Sequence, residues 1–171
     1  MSQQSNDMSR AIGELESLVS APERGLPEDL LMLVSRLTPL VNVDLLIQDS
    51  GGRTLLTWRH DRFYGPGWHI PGGIIRYKEK ALDRIRAVAL RELVAEVESE
   101  AAPLLVREYI DLHAGDRGHF ISLLYRCRLL TPLDPGRRFV PQHPQPDRWE
   151  WHEHCPANLI AQQLEYGTYF F

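Results

Sequence analysis

The sequence predicts an α/β domain in which a mixed β-sheet is sandwiched between α-helices. Strand-like stretches outnumber helical ones, helical stretches flank them along the chain, and one helix of roughly four turns carries an apolar stripe at about 3.6 residues per turn. With 171 residues the chain is long enough for one sizeable core and short for two. It divides into an N-terminal extension, residues 1–22, and the domain proper, residues 23–171.

The extension is rich in Ser, Gln and Asn and reads as helical in part, with Ile12, Leu15 and Leu18 on one face of residues 11–19. Pro27 followed by Glu28 and Asp29 opens a helix bearing Leu30, Leu31, Leu33 and Leu37, because proline suits the first turn and acids there complement the helix dipole. Residues 40–48, the turn Asp49-Ser50-Gly51-Gly52 and residues 54–58 have the pattern of a hairpin of two antiparallel strands. Trp68-His69-Ile70 is a short strand, and Pro71-Gly72-Gly73 a sharp bend. Residues 79–94 form the long helix, striped by Leu82, Ile85, Ala89 and Leu93. Further strands are predicted over 104–112, 120–129 and 148–151, and a closing helix over 156–166.

A formal net charge of -4 argues against a general nucleic-acid binder, since nonspecific affinity for a polyanion needs an excess of Lys and Arg. No apolar run is long enough to span a membrane and residues 1–10 are polar, so the expected setting is cytoplasmic, with no membrane partner. Cys127 and Cys155 lack metal-binding spacing and are expected to be reduced, buried thiols.

Chemistry concentrates in the segment of strand, Pro71-Gly72-Gly73 and helix. Glycines let a backbone approach a ligand closely, although two adjacent glycines can equally be a plain turn. On the helix, Glu92 borders the apolar stripe. An ionised acid there needs a cationic partner, which is either a divalent metal or an ordinary salt bridge. Lys80, Arg84 and Arg91 run down another side, as a solvated face or a phosphate contact. His113 and His119 flank a hairpin end at 114–118, from which His119 could reach a ligand. Trp149 and Trp151 alternate along a strand, one towards the core and the other available to stack on a base.

The spacing of Gly73, Glu79 and the helix ending in Arg91-Glu92-Leu93 resembles the Nudix box, in which a glycine pair, a glutamate and an Arg-Glu-rich helix hold magnesium against a diphosphate. At the four helix positions where the full motif has arginine and three metal-binding glutamates, this chain has Ala87, Val88, Arg91 and Glu92. The order Thr38-Pro39-Leu40-Val41, Asp44, Leu55-Leu56, Arg59, Gly67-Trp68 and Pro71-Gly72-Gly73 is similar to the GDP-mannose mannosyl hydrolase branch of the Nudix hydrolases. The resemblance covers residues 28–94, with a weaker echo over 104–151. It implies the Nudix fold, a homodimer, and magnesium or alternatively manganese as cofactor. It also implies a hydrolase in which water attacks the sugar carbon of a nucleotide-sugar and expels a nucleoside diphosphate.

By the same resemblance the metal ligands would be Glu92, a backbone carbonyl at Gly72, and either Gln142 or Gln145; His143 would be the general base, Arg59 would assist departure of the diphosphate, and Asp44 would contact the sugar. Ile74 and Ala87 stand where that branch has arginines gripping the diphosphate, Phe120 replaces a tyrosine, and Val94 replaces the terminal glycine of the box. A phosphorus-attacking pyrophosphohydrolase of the same substrates and a non-catalytic nucleotide-binding domain are the alternative readings.

Overall fold

A computed structural model describes residues 3–170. Helix α1 (Gln3–Ser17) starts well before Ala11, since nothing in the polar residues ahead of it interrupts the turn, and none of its residues is buried. Ile12 and Leu15 remain exposed along it with Met8, and Leu18 just past its end is exposed too. After a short 3-10 turn at Pro22–Arg24 comes α2 (Glu28–Ser35), with Pro27 at its N-cap as its sequence predicts. Its packed face is Met32 and Ser35; Leu37 lies past the end of the helix and is exposed.

Strands β1 (Leu40–Ile47) and β2 (Thr54–Arg59) are joined by the expected turn, in which the Asp49 carboxylate accepts the N–H groups of Gly51 and Arg53 at 2.9 Å each. The expected hairpin does not form. Beyond a single bridge between Gln48 and Thr54 the two strands enter different sheets. The physical reason is the burial of β1 on both faces. Val43, Leu45 and Ile47 point into one core cluster and Leu46 into another, as in a central strand whose two edges are both taken.

The remaining elements are β3 (Gly67–His69), β4 (Gly72–Ile74), α3 (Ala81–Val88), β5 (Val97–Ser99), β6 (Leu105–Ile110), β7 (His119–Leu129) and β8 (Trp149–His152). The larger sheet runs β4-β1-β7-β5, with β6 also paired to β7. It is mixed, because β1 and β7 are parallel while β4, β5 and β6 pair antiparallel. The smaller sheet, β3-β2-β8, is antiparallel. α3 covers one face through Ile85 and Val88 against Val43 and Leu45, and the C-terminal segment packs Leu159, Tyr166 and Phe170 against Leu46 and Leu124 on the other. The mixed sheet is thus flanked by helical layers, as expected.

Two helices differ from their predicted form. The long helix is α-helical only to Val88, continues as a π turn over Ala89–Leu93, and stops at Val94 in the left-handed region (φ 52°). The C-terminal helix is a 3-10 helix over Ala161–Tyr169. At three residues per turn, Gln163, Tyr166 and Tyr169 stack on one line with Ile160 just ahead, which carries Gln163 and Tyr166 into the core. Cys127 is buried, but Cys155 is exposed, in the loop after β8. Among the described residues no helix is long and apolar enough to cross a membrane.

Candidate functional site

A cavity of about 430 Å³ opens where β1 and β4 meet β2, β3 and the C-terminal segment. Asp44, on β1, forms its floor. Its register partner on β4 is Gly72, and a side chain at Gly72 would collide with the Asp44 carboxylate. A Cβ at Gly73 would lie 2.9 Å from Val88 on α3. Close approach within the sheet at Gly72 and against α3 at Gly73 therefore demands both glycines.

Asp44 is buried, and its carboxylate accepts Tyr166 Oη at 2.8 Å and Gln163 Nε2 at 3.3 Å. Gln163 is itself fixed by the backbone of Ile70, whose N–H it accepts at 2.6 Å. Burial raises the Asp44 carboxyl to about 6, against the hydrogen bonds from Tyr166, Ser122 and Gln163 and the charge of Arg59.

Glu92 lies on the other side of the glycine pair, at the π turn that ends the long helix. Desolvation pushes its carboxyl up to about 7, opposed by the adjacent Arg91. Thr57 Oγ1 lies 3.4 Å from Glu92 Oε2, and His69 Nε2 lies 2.9 Å from Thr57 Oγ1. Burial holds His69 near 3, so its ring is neutral at ordinary pH.

Cations line the upper wall. Arg59 donates to Asp61 at 2.6 Å and stacks over the Tyr64 ring at 4.6 Å. Arg117, in the left-handed region at φ 54°, donates its backbone N–H to Ser35 Oγ and lays its guanidinium near Phe63, Tyr64 and Phe120. Two buried polar atoms of the lining, Arg117 Nε and Asn42 Oδ1, have no hydrogen-bond partner among the described residues.

Of the residues singled out from the sequence, Asp44, Arg59, Gly72 and Glu92 come together in this cavity. Gln142, His143 and Gln145 do not line it. They are exposed, because the loop before β8 turns outward at Val140–His143, and Gln145 accepts hydrogen bonds from Arg148 at 2.7 and 3.2 Å. The same loop instead brings in Pro146 and Asp147, and Asp147 is pinned at φ 58° by its N–H to Trp58 O. His119 begins β7 outside the cavity and lies 3.0 Å from Glu108 on β6; its neighbour Phe120 takes the inward position. The basic row divides too. Arg84 is buried and bonds Glu79 through two nitrogens at 2.7 and 2.8 Å rather than facing solvent. Trp149 is core and Trp151 packs against that same core, so the wall indole is Trp58.

Arg91 decides whether a divalent cation fits. Its Nη2 lies 2.6 Å from Glu92 Oε1 and 3.2 Å from the Gly72 carbonyl oxygen. A guanidinium nitrogen therefore already bridges the two oxygens expected to hold the metal. The glutamines expected to complete the shell point elsewhere, and among the described residues no group of three or more His, Cys, Asp or Glu side chains is arranged to hold a metal ion. The donors present do not fit magnesium or manganese, because a guanidinium nitrogen stands on both of the oxygens the cation would have to bind.

The NUDIX domain family model matches residues 38–163, well over half of the chain, with Asp44 on the cavity floor inside the match. The chain belongs to the Nudix hydrolase superfamily. Its Nudix fold is shared with a MutT Nudix hydrolase from Burkholderia pseudomallei, at 22% identity over 74% of this chain and 95% of that one with a TM-score of 0.57. A Nudix hydrolase from Nitrosomonas europaea matches at 14% identity over 78% and 80% with a TM-score of 0.55. A Nudix-family hydrolase from Clostridium perfringens matches at 14% over 77% and 95% with a TM-score of 0.54. At these identities the likeness speaks for the fold alone. No curated protein gives a significant match.

The residues in or beside this cavity that the sequence does not mark are His69, Arg117, Asp147, Gln163 and Tyr166. His69 was visible only as a polar residue between Trp68 and Ile70, and the others sit in loops or the C-terminal helix, where no short motif marks them.

Proposed function

We propose that this Nudix protein hydrolyses a nucleoside-diphosphate sugar, or a related nucleoside-diphosphate derivative, by attack of water at the carbon bearing the diphosphate. The reading rests on the convergence of Arg59, Arg91 and Arg117 on one cavity that also presents Asp44 and Asp147. Guanidinium groups pair with phosphate oxygens through parallel hydrogen bonds, and fixed cations aimed at a departing diphosphate act where charge develops in the transition state.

Asp44 accepts a sugar hydroxyl in this scheme. The general base that the resemblance assigns to His143 is reassigned to Asp147, the acid of the same loop that reaches the cavity. Water's oxygen bonds to the carbon as its proton passes to the Asp147 carboxylate. The carbon–oxygen bond to the diphosphate breaks and its electron pair leaves with the nucleoside diphosphate. The commitment of Glu92 to Arg91 supports attack at carbon, since attack at phosphorus relies on several metal-holding glutamates. GDP-mannose is one candidate in this class. The homodimer belongs to the same proposal, supported by the apolar residues that α1 leaves bare.

The test is turnover of a panel of nucleotide-sugars in ¹⁸O-labelled water, with products identified by mass spectrometry. Labelled free sugar with unlabelled nucleoside diphosphate is the expected result. Labelled phosphate products would move the attack to phosphorus, and binding without turnover would make this a nucleotide-binding module.

A further inference from the structure

Arg91 stands where the Nudix box has a metal-binding glutamate, and the consequence is a reversal of charge at that point of the wall. The position is not a loosely held surface cation. Nη2 is shared between Glu92 Oε1 at 2.6 Å and the Gly72 carbonyl at 3.2 Å, and Glu92 is buried. The side chain as a whole is 56% exposed and lines the cavity. Arg117 contributes a second guanidinium with no salt bridge among the described residues and an unsatisfied buried Nε, and Arg59 a third.

We infer that Arg91 takes the place of the divalent cation, so that the cavity holds a diphosphate through Arg91, Arg117 and Arg59 without magnesium. The inference rests on the nucleoside-diphosphate reading above and specifies how that site recognises its ligand. Glu92 becomes a positioning residue: it orients the guanidinium instead of ligating a metal. The buried Glu92 carboxylate is paired with the Arg91 guanidinium, and Arg91, Arg117 and Arg59 all line the space a diphosphate would fill. A magnesium ion placed between Glu92 and Gly72 would have to displace Arg91 and would meet its positive charge at close range.

The test is calorimetric titration of the full chain with GDP, UDP and ADP, each in EDTA and in MgCl2. The expected result is the same affinity in both buffers for whichever diphosphate binds. Arg91→Glu should weaken binding in EDTA by at least about tenfold, as expected for loss of a charge-assisted contact, and recover it when magnesium is added. Arg91→Gln keeps a donor for Glu92 and should weaken binding in both buffers alike. Manganese titrations followed by electron paramagnetic resonance should show an ion bound by Arg91→Glu and none by the unmodified chain.

Binding by the unmodified chain that needs magnesium would overturn the substitution while leaving the diphosphate reading intact. No binding of any diphosphate in either buffer would overturn both. Because the comparison of EDTA with magnesium is made first on the unmodified chain, it decides the matter even where a variant fails to fold.

Discussion

Tyr166 on the C-terminal 3-10 helix donates its hydroxyl to Asp44 on the central strand at 2.8 Å, both groups being buried. Tyr166 is therefore part of the floor of the site as well as of the core. Tyr166→Phe keeps the ring and removes the donor, so it should destabilise by about 1.5–3 kcal/mol, the range for a hydrogen bond to a charged group. Urea denaturation at neutral pH measures this, and a variant as stable as the parent would show that the bond contributes nothing.

Asp44 should also make stability depend on pH. Its folded carboxyl is raised from 3.8 to about 6, so the folded state holds a proton that the unfolded state has already released across that interval. The contribution is complete below about pH 4 and is lost as pH rises through about 6, amounting to about 3 kcal/mol at 1.36 kcal/mol per unit. Between pH 4 and pH 7 the stability of the parent should accordingly fall relative to that of Asp44→Asn. A difference that stays flat or changes in the opposite sense would mean the Asp44 carboxyl is not raised.

Val94 closes the π turn at φ 52°, a conformation that β-branched residues rarely adopt. Half of its surface is exposed, so little burial is lost on truncation. Val94→Gly should stabilise by about 0.5–1 kcal/mol, the left-handed penalty of about 1–2 kcal/mol less the extra chain entropy of glycine. A lower thermal midpoint in the variant would rule this out.

If Asp147 takes the proton from water, Asp147→Asn should lower kcat by about 10²- to 10⁴-fold, with KM little changed. The matching substitution His143→Ala should leave both constants as they are, since His143 lies outside the cavity. The reverse pattern would return the base to His143.

The parts of the site that were legible in the sequence are those held by short spacings. Gly72 and Gly73, Glu92 on the helix after them, and Asp44 and Arg59 on the preceding strands are fixed relative to one another by a few turns and registers. Arg117, Asp147, Gln163 and Tyr166 come from distant loops and a 3-10 helix, and only tertiary packing carries them in. The divergence of β1 from β2 was hidden for a related reason. The turn between them has hairpin chemistry, and it is burial on both faces of β1 that sends β2 to the other sheet. Arg84 departs from the solvated face its spacing suggests because helical periodicity does not foresee a buried ion pair with Glu79.

The parallel pairing of β1 with β7 also bears on how fast the protein reaches its working form. Every matched pair, from Leu40 with Phe120 to Ile47 with Cys127, joins residues eighty positions apart. Closing so long a loop costs chain entropy before any contact rewards it, and folds dominated by such distant contacts acquire their structure slowly. Asn42 and Ser122 lie side by side on these two strands and both line the cavity. Ligand-binding competence should therefore lag behind formation of the local helices during refolding, because no stretch of neighbouring residues can assemble the pocket by itself.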